Sequence, residues 1–159
     1  MARTIANGEV LIYFCPTIAD TDAPTVAEVV TAGTNVTPFL SSLDTPLDGD
    51  AVGSADLSSA FNKTVAGMYG GNISGEMYRD DTADTAWDAF DRNVEGYFVI
   101  RRFGGSDIVA NAMAASDVVE VYHARIITKS PGSLDENSVQ MFNIDAAVLD
   151  EPVLDAVMA

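Results

Sequence analysis

The chain has 159 residues, 48% of them apolar, and 24 Asp and Glu stand against 8 Lys and Arg for a formal net charge of −16. That length predicts one domain with a real core, and the acidity excludes binding to a phosphate backbone, which needs a basic footprint. Strong self-repulsion and a high apolar content pull in opposite directions; self-association through apolar faces, with charge gathered on another surface, reconciles them, and an acidic monomer is the plain alternative.

The single cysteine, Cys15, excludes an internal disulfide and any Cys-x-x-Cys metal site, and its apolar neighbours make it a buried small hydrophobe. The run Val10–Cys15 is too short for a signal peptide and follows Glu9. No stretch approaches the roughly 20 apolar residues of a membrane-spanning helix. Synthesis in a cytosolic compartment and no membrane partner are therefore expected.

Taken in order, Val10–Phe14 reads as a buried strand ended by Pro16, and the residues to Asp22 as loop. Ala23–Thr31 has Pro24 where a first helical turn tolerates it and Gly33 where a helix stops, which predicts a short helix, although its Val and Thr also suit a strand. Phe39 and Leu40, after Pro38, anchor the next segment. Ser41–Ser59 is dominated by Asp, Gly, Ser and Pro, including Asp44, Asp48, Asp50 and Asp56, and predicts a long loop. Such a loop is either functional, docking on a neighbouring subunit, or simply solvated.

Thr64–Phe103 reads as strand, helix, strand, and is the stretch around which the rest is organised. In Thr64–Arg79 the odd positions Val65, Tyr69, Ile73 and Met77 alternate with Thr64, Asn72, Ser74 and Glu76, predicting a strand with one buried face. Its glycines, Gly67, Gly70, Gly71 and Gly75, predict a bend or bulge. Asp80, Asp81 and Thr82 offer cap oxygens to a helix over about residues 82–92, where Ala83, Ala86, Trp87 and Phe90 recur at helical spacing, with Trp87 and Phe90 turned inward. Val94–Phe103 is an apolar run containing Tyr97 and Val99, a central strand covered on both faces and closed by Arg101 and Arg102. Those two arginines suit acids of a partner subunit or of their own surface equally well.

Gly104-Gly105 predicts a turn, Ser106–Ala115 is weakly patterned, and the β-branched Asp117–Lys129 reads as a strand. A loop over Ser130–Asn137 leads to a strand Ser138–Leu149, whose apolar phase switches at Met141-Phe142 and so predicts a bulge there. Glu151–Ala159 reads as a short tail. The sum is a mainly β domain over residues 1–159, a sandwich or barrel with one flanking helix.

Candidate chemistry is thin. Asp81, Asp84, Asp88 and Asp91 fall at intervals that place them on one helix face, but hard cations need ligands converging from several directions, so a solvated face is the stronger reading. Asp48, Asp50, Gly53 and Asp56 fail as a calcium loop, because Val52 and Ser59 stand where oxygen ligands are required. His123 is the sole histidine and reads as an ordinary strand residue; no Gly-x-Ser-x-Gly and no phosphate-binding loop is present. No catalytic residue, metal or cofactor is expected, and a carboxylate hydrolase is the weakest of the readings.

The chain resembles the major tail protein, or tail tube protein, of long-tailed bacteriophages. The resemblance is carried by Gly75-Glu76-Met77-Tyr78-Arg79-Asp80, Ala86-Trp87-Asp88-Ala89-Phe90, Gly96-Tyr97-Phe98-Val99-Ile100-Arg101-Arg102, Val119-Glu120-Val121-Tyr122, Ser130-Pro131-Gly132, and Val139–Val148 with Glu151-Pro152. It spans about Phe61 to the C-terminus, with the first third similar in arrangement. It implies a sandwich or barrel with a flanking helix, six copies closing into a ring, and rings stacked into a hollow tube through which DNA leaves the virion without specific binding. Partners so implied are further copies of the chain, a tape measure protein, and terminator and tip proteins. Ser41–Ser59, with Asp44, Asp48, Asp50 and Asp56, is the segment implied to touch the next ring. A ring of six would carry on the order of 100 negative charges, enough to keep DNA off an acidic wall. Another β-rich assembly subunit, such as a tail terminator, capsid decoration or secretion-tube protein, is the alternative.

Overall fold

The computed structural model describes residues 9–53, 64–103 and 112–159. Its strands are β1 (Leu11–Cys15), β2 (Thr34–Asn35), β3 (Leu40–Asp44), β4 (Leu47–Gly53), β5 (Thr64–Tyr78), β6 (Glu95–Arg101), β7 (Val118–Pro131), β8 (Met141–Val148) and β9 (Val153–Val157). Every pairing is antiparallel, in the order β2-β1-β6-β7-β8-β5-β3, with β9 beside the start of β7 and β4 beside the start of β5. The one α-helix among the described residues, α1 (Thr85–Ala89), lies between β5 and β6 in the chain.

Alternation along the strands divides the apolar side chains between two clusters. Ile12 and Phe14 of β1, Phe98 and Ile100 of β6, Tyr122 and Ala124 of β7, Phe142 and Ile144 of β8, and Ile73 and Met77 of β5 form the larger one, which also holds Phe90. Leu11, Tyr13 and Cys15, with Val99, Val119 and Val121, turn the other way and are covered by Val29, Met113, Ala156 and Met158. The strand β6 is thus buried on both faces, as its continuous apolar run requires. The aromatic centre of the larger cluster is Phe14, Phe90 and Phe98, with ring centroids 4.9 to 5.7 Å apart. Gly96 admits it: a Cβ there would stand 2.5 Å from the Phe14 ring.

Cys15 is wholly buried in the smaller cluster, and burial, reinforced by Glu28, pushes its thiol up to about 12. It is a core atom with no nucleophilic character at neutral pH.

Three expectations are corrected. The segment predicted as a long loop, 41–59, is strand over most of its length: β3 and β4 run along one edge of β5, separated by Thr45 and Pro46, and residues 54–59 lie outside the described residues. Weak strand formers such as Asp48, Gly49 and Asp50 are carried there by the ladder that β5 offers, since β propensity yields to pairing context. The predicted tail contains β9, which pairs with β7 through Val118↔Val157 and Val119↔Ala156 and buries Ala156 and Met158. The apolar phase switch near Met141 is not a bulge in β8, which alternates regularly through Phe142, Ile144 and Ala146; residues 138–140 simply precede the strand, and the register shift lies in β7 between Ile126 and Thr128. The short helix expected within Ala23–Thr31 is present as a single π turn, Ala27–Thr31, that delivers Val29 to the core.

The helix is also shorter than the three turns expected. Asp84 before it has φ 41°, in the left-handed region, and Phe90 after it leaves helical geometry at φ −111°, ψ 51°. Five residues cannot sustain a helix alone; α1 is held by Phe90, which is fully buried, and by Trp87, whose ring meets Phe142 edge-on at 5.1 Å. Truncating Phe90 to Ala removes one of the three rings of the aromatic centre and is expected to cost about 3–5 kcal/mol, read as a lower urea midpoint at an unchanged slope.

Candidate assembly surfaces

Beyond Gly71, β5 leaves the sheet. Its pairing with β8 runs from Tyr78↔Met141 to Asn72↔Ala147 and stops, while the other edge continues onto β4 from Leu47↔Gly71 to Gly53↔Thr64. The result is a two-stranded arm, β4 with residues 64–71, in which every residue of β4 is exposed. It carries Val52, Val65, Met68 and Tyr69 open to solvent, Met68 at 86%. Such apolar side chains on a ribbon that touches no core are the signature of a surface completed by another chain. Asp48 and Asp50 belong to this arm; Asp44 does not, because it lies in β3, and Asp56 is outside the described residues. The group of four acids predicted together is therefore split by the fold.

A second surface is the sheet face opposite α1. Asp44 of β3, Ser74 of β5, Asp145 of β8 and Thr128 of β7 are cross-strand neighbours in one row, and Glu76, Asn143 and Ser130 stand in the next, with Ser42 opposite Glu76. The alternation that sends Ile73, Met77, Phe142 and Ile144 inward forces these polar residues outward. Asp44, Glu76 and Asp145 make no ion pair among the described residues, whereas the nearest cation on the neighbouring row, Arg125, is bound by Glu95. The face is thus bare carboxylate, hydroxyl and amide. Even positions of β5 signal it in the sequence through Ser74 and Glu76.

The acids predicted to share a helix face take separate tasks. Only Asp88 lies within α1; Asp84 precedes it, and Asp81 and Asp91 flank it. The Arg79 guanidinium binds Asp84 through a 3.0 Å bond from Nε and lies 4.0 Å from the centre of the Trp87 ring. Lys129 places its ammonium 4.1 Å from the same ring, 2.6 Å from Asp91 and 2.9 Å from the Trp87 carbonyl. Two cations against one indole clamp α1 to β5 and β7. Neither cation carried a signal in the sequence. Among the described residues no group of three or more His, Cys, Asp and Glu is arranged to hold a metal. His123 stacks on Tyr97 at 4.6 Å and contacts Asp150, and Val99 is fully buried beside them in the sheet. Arg101 is buried and binds Asp117 at 2.8 Å, while Arg102 binds Glu120, so both arginines engage acids of their own chain.

The fold is that of tube subunits in phage-like tails and injection systems. It matches the tail of an empty gene transfer agent particle refined with C6 symmetry at a TM-score of 0.60 and 14% identity, covering 98% of this chain and 100% of that one. It also matches the sheath/tube terminator of an extracellular contractile injection system at 0.65 and 9%, covering 96% and 97%, and the sheath-tube complex of such a system at 0.63 and 13%, covering 97% and 93%. The chain belongs to the phage tail tube protein family, whose model matches residues 1–159. Comparison with curated proteins returns no match. The family is a structural one of the virion tail, and no helix among the described residues is long and apolar enough to cross a membrane.

The Asp84 carboxyl is held below the usual carboxylate range, first by the hydrogen bond from Arg79. Because its pKa is depressed in the folded state, this contribution to stability is complete above the unfolded value near 4 and is lost as pH falls through the folded value. Replacing Asp84 with Asn is expected to flatten the fall in unfolding free energy below about pH 4, measured by urea titration across the acid limb.

Proposed function

We propose that residues 1–159 act as one tail-tube domain of which six copies close into a ring, that the rings stack into a hollow tube, and that DNA leaves the virion through it. The observation that carries this reading is the projecting β4–β5 arm, an apolar ribbon with no core of its own to cover. The six-fold symmetry of the gene transfer agent tail supports the ring number. A closed ring lets the same surface serve every copy and hides strand edges that a monomer exposes. The arm docks on a subunit of the adjacent ring, with Asp48 and Asp50 at the rim of that contact; Asp56, a further candidate for it, lies outside the described residues. Tape measure, terminator and tip proteins complete the partner set.

The face of Asp44, Glu76 and Asp145 is the wall of the bore. A polyanion in transit must neither bind nor be trapped, and unpaired carboxylates among hydroxyls repel phosphate while offering no cation to hold it. The opposite face, where Trp87 and α1 lie, turns toward the outside of the tube. No catalytic step is part of this function.

Two experiments test the two surfaces separately. Met68→Asp places a charge where apolar contact is required and, being fully exposed in the subunit, is expected to leave folding intact while raising the critical concentration for tube growth at least tenfold, about 1.4 kcal/mol. Electron micrographs of the purified protein read this directly, and long tubes at parent concentrations would remove the arm from the interface. Single closed rings in every preparation would favour the terminator reading instead. Lysine at both Asp44 and Asp145 is expected to permit tubes that retain DNA at low salt and release it as salt rises. Tubes with the same negligible DNA retention as the parent would place those acids away from the bore.

A further inference from the structure

The root of the arm is built as a pivot with a fastening. Gly70 and Gly71 sit where β5 exchanges β8 for β4; nothing lies within 4 Å of a Cβ built on Gly70, while one on Gly71 would meet the Leu47 side chain at 2.6 Å and Val148 at 3.2 Å. Below the pivot, the Asn72 amide donates to the Pro46 carbonyl at 3.3 Å and Arg102 donates to the Thr45 hydroxyl at 3.1 Å, so the base is tied to the sheet on that side. Above it, one side chain of the arm reaches back to the body: the Tyr69 hydroxyl donates to the carboxylate of Glu151, a residue 82 positions later that immediately precedes Pro152 and β9. Between them a small cleft of about 160 Å³ is lined by Leu47, Tyr69, Gly71, Val148, Glu151 and Pro152.

A tyrosine on a core-less ribbon has no local reason to be tied to a distant carboxylate. Backbone pairing with β4 already fixes its strand, and its ring stays exposed. What the bond does fix is the angle between ribbon and sheet at a point where two successive glycines would let it vary. A hydrogen bond between an exposed phenol and an exposed carboxylate is also weak enough to be exchanged for contacts of greater area.

We propose that Tyr69 and Glu151 form a latch that parks the β4–β5 arm against the segment before β9 in the free subunit, and that the latch opens when the arm docks on a neighbouring copy. This rests on the docking reading above. The latch makes the subunit slow to nucleate and ties release of the arm to the start of β9. A chain that is both apolar and self-associating gains from such a delay, because arms held down cannot pair at random before a ring is present.

The test uses full-length protein, spin-labelled on the arm at residue 48 and on the body at residue 128, with Tyr69→Phe and Glu151→Gln compared with the parent. Dispersed below the critical concentration, the parent is expected to give one narrow distance distribution and both variants a broad one. Above it, light scattering is expected to show a lag several-fold shorter in both variants and tubes of the parent's diameter. An unchanged distribution in both variants, or a broadened one with the parent's lag, overturns the latch. Failure of the docking reading shows elsewhere, as growth of Met68→Asp tubes at parent concentrations, and is independent of the distances measured in dispersed subunits.

Discussion

Strand β5 is fifteen residues long, and only residues 72–78 of it are paired with β8. That mismatch between the length of a strand and the depth of its sheet governs the molecule. Where β8 is present, alternation sends Ile73 and Met77 into the larger core and Ser74 and Glu76 to the opposite face. Where it is absent, the same alternation has no core to serve, and Val65, Met68 and Tyr69 reach solvent. One continuous strand thus supplies a sheet wall at one end and a free ribbon at the other, and β3 and β4 follow it along the same edge, with register shifts at Leu40/Ser42 and Gly49/Ala51.

The two clusters explain why the sheet holds its shape with so short a helix. The larger one lies under α1 and contains Phe14, Phe90, Phe98 and Phe142, and the smaller one lies on the reverse face at the β1–β6 end, sealed by Val29, Met113 and the last strand. At the β3–β5–β8 end that reverse face has no covering layer among the described residues, and its side chains are polar. A sheet covered twice at one end and once at the other has a definite inside only when further chains surround it. The two ends are therefore unlike, as the two sides of a heterologous contact must be.

Legibility followed period and burial. Strands with a dense apolar face, β1, β6 and β7, and the alternation of β5 were readable because each residue's side is dictated by a core it must reach. Trp87 and Phe90 were readable as inward anchors for the same reason, although the extent of α1 was not: Arg79 recruits the Asp84 side chain for an ion pair, and no cap bond remains to lengthen the helix. The stretch Leu47–Gly53 is illegible as strand because its residues are poor strand formers and its partner lies more than ten residues away in sequence; only the ladder makes it β. In β9, Leu154 and Asp155 break the alternation at a register shift with β7, so five residues that bury Ala156 resemble a tail. The candidate surfaces were half legible: Ser74 and Glu76 of β5 face outward by parity, while Tyr69 and Glu151 matter through neighbours that no local pattern reveals.

The contradiction in the composition is resolved by where the fold sends each kind of side chain. Acids that flank α1 are partly consumed by cations, Asp84 by Arg79 and Asp91 by Lys129, and Glu95 and Glu120 are consumed by Arg125 and Arg102. With so few cations in the chain, neutralising those groups leaves Asp44, Glu76 and Asp145 uncompensated on a single face. Apolar excess is exported in the other direction, onto the arm. Repulsion and attraction therefore act on different surfaces of one subunit, and neither has to defeat the other. Like charges brought together by assembly still oppose it, by an amount that salt reduces over a Debye length of about 10 Å at 0.1 M. If the arm docks as proposed, its apolar contacts are indifferent to that screening, so attraction keeps its strength while the opposing term shrinks, and association is expected to strengthen with ionic strength, the reverse of what a charge-paired interface does.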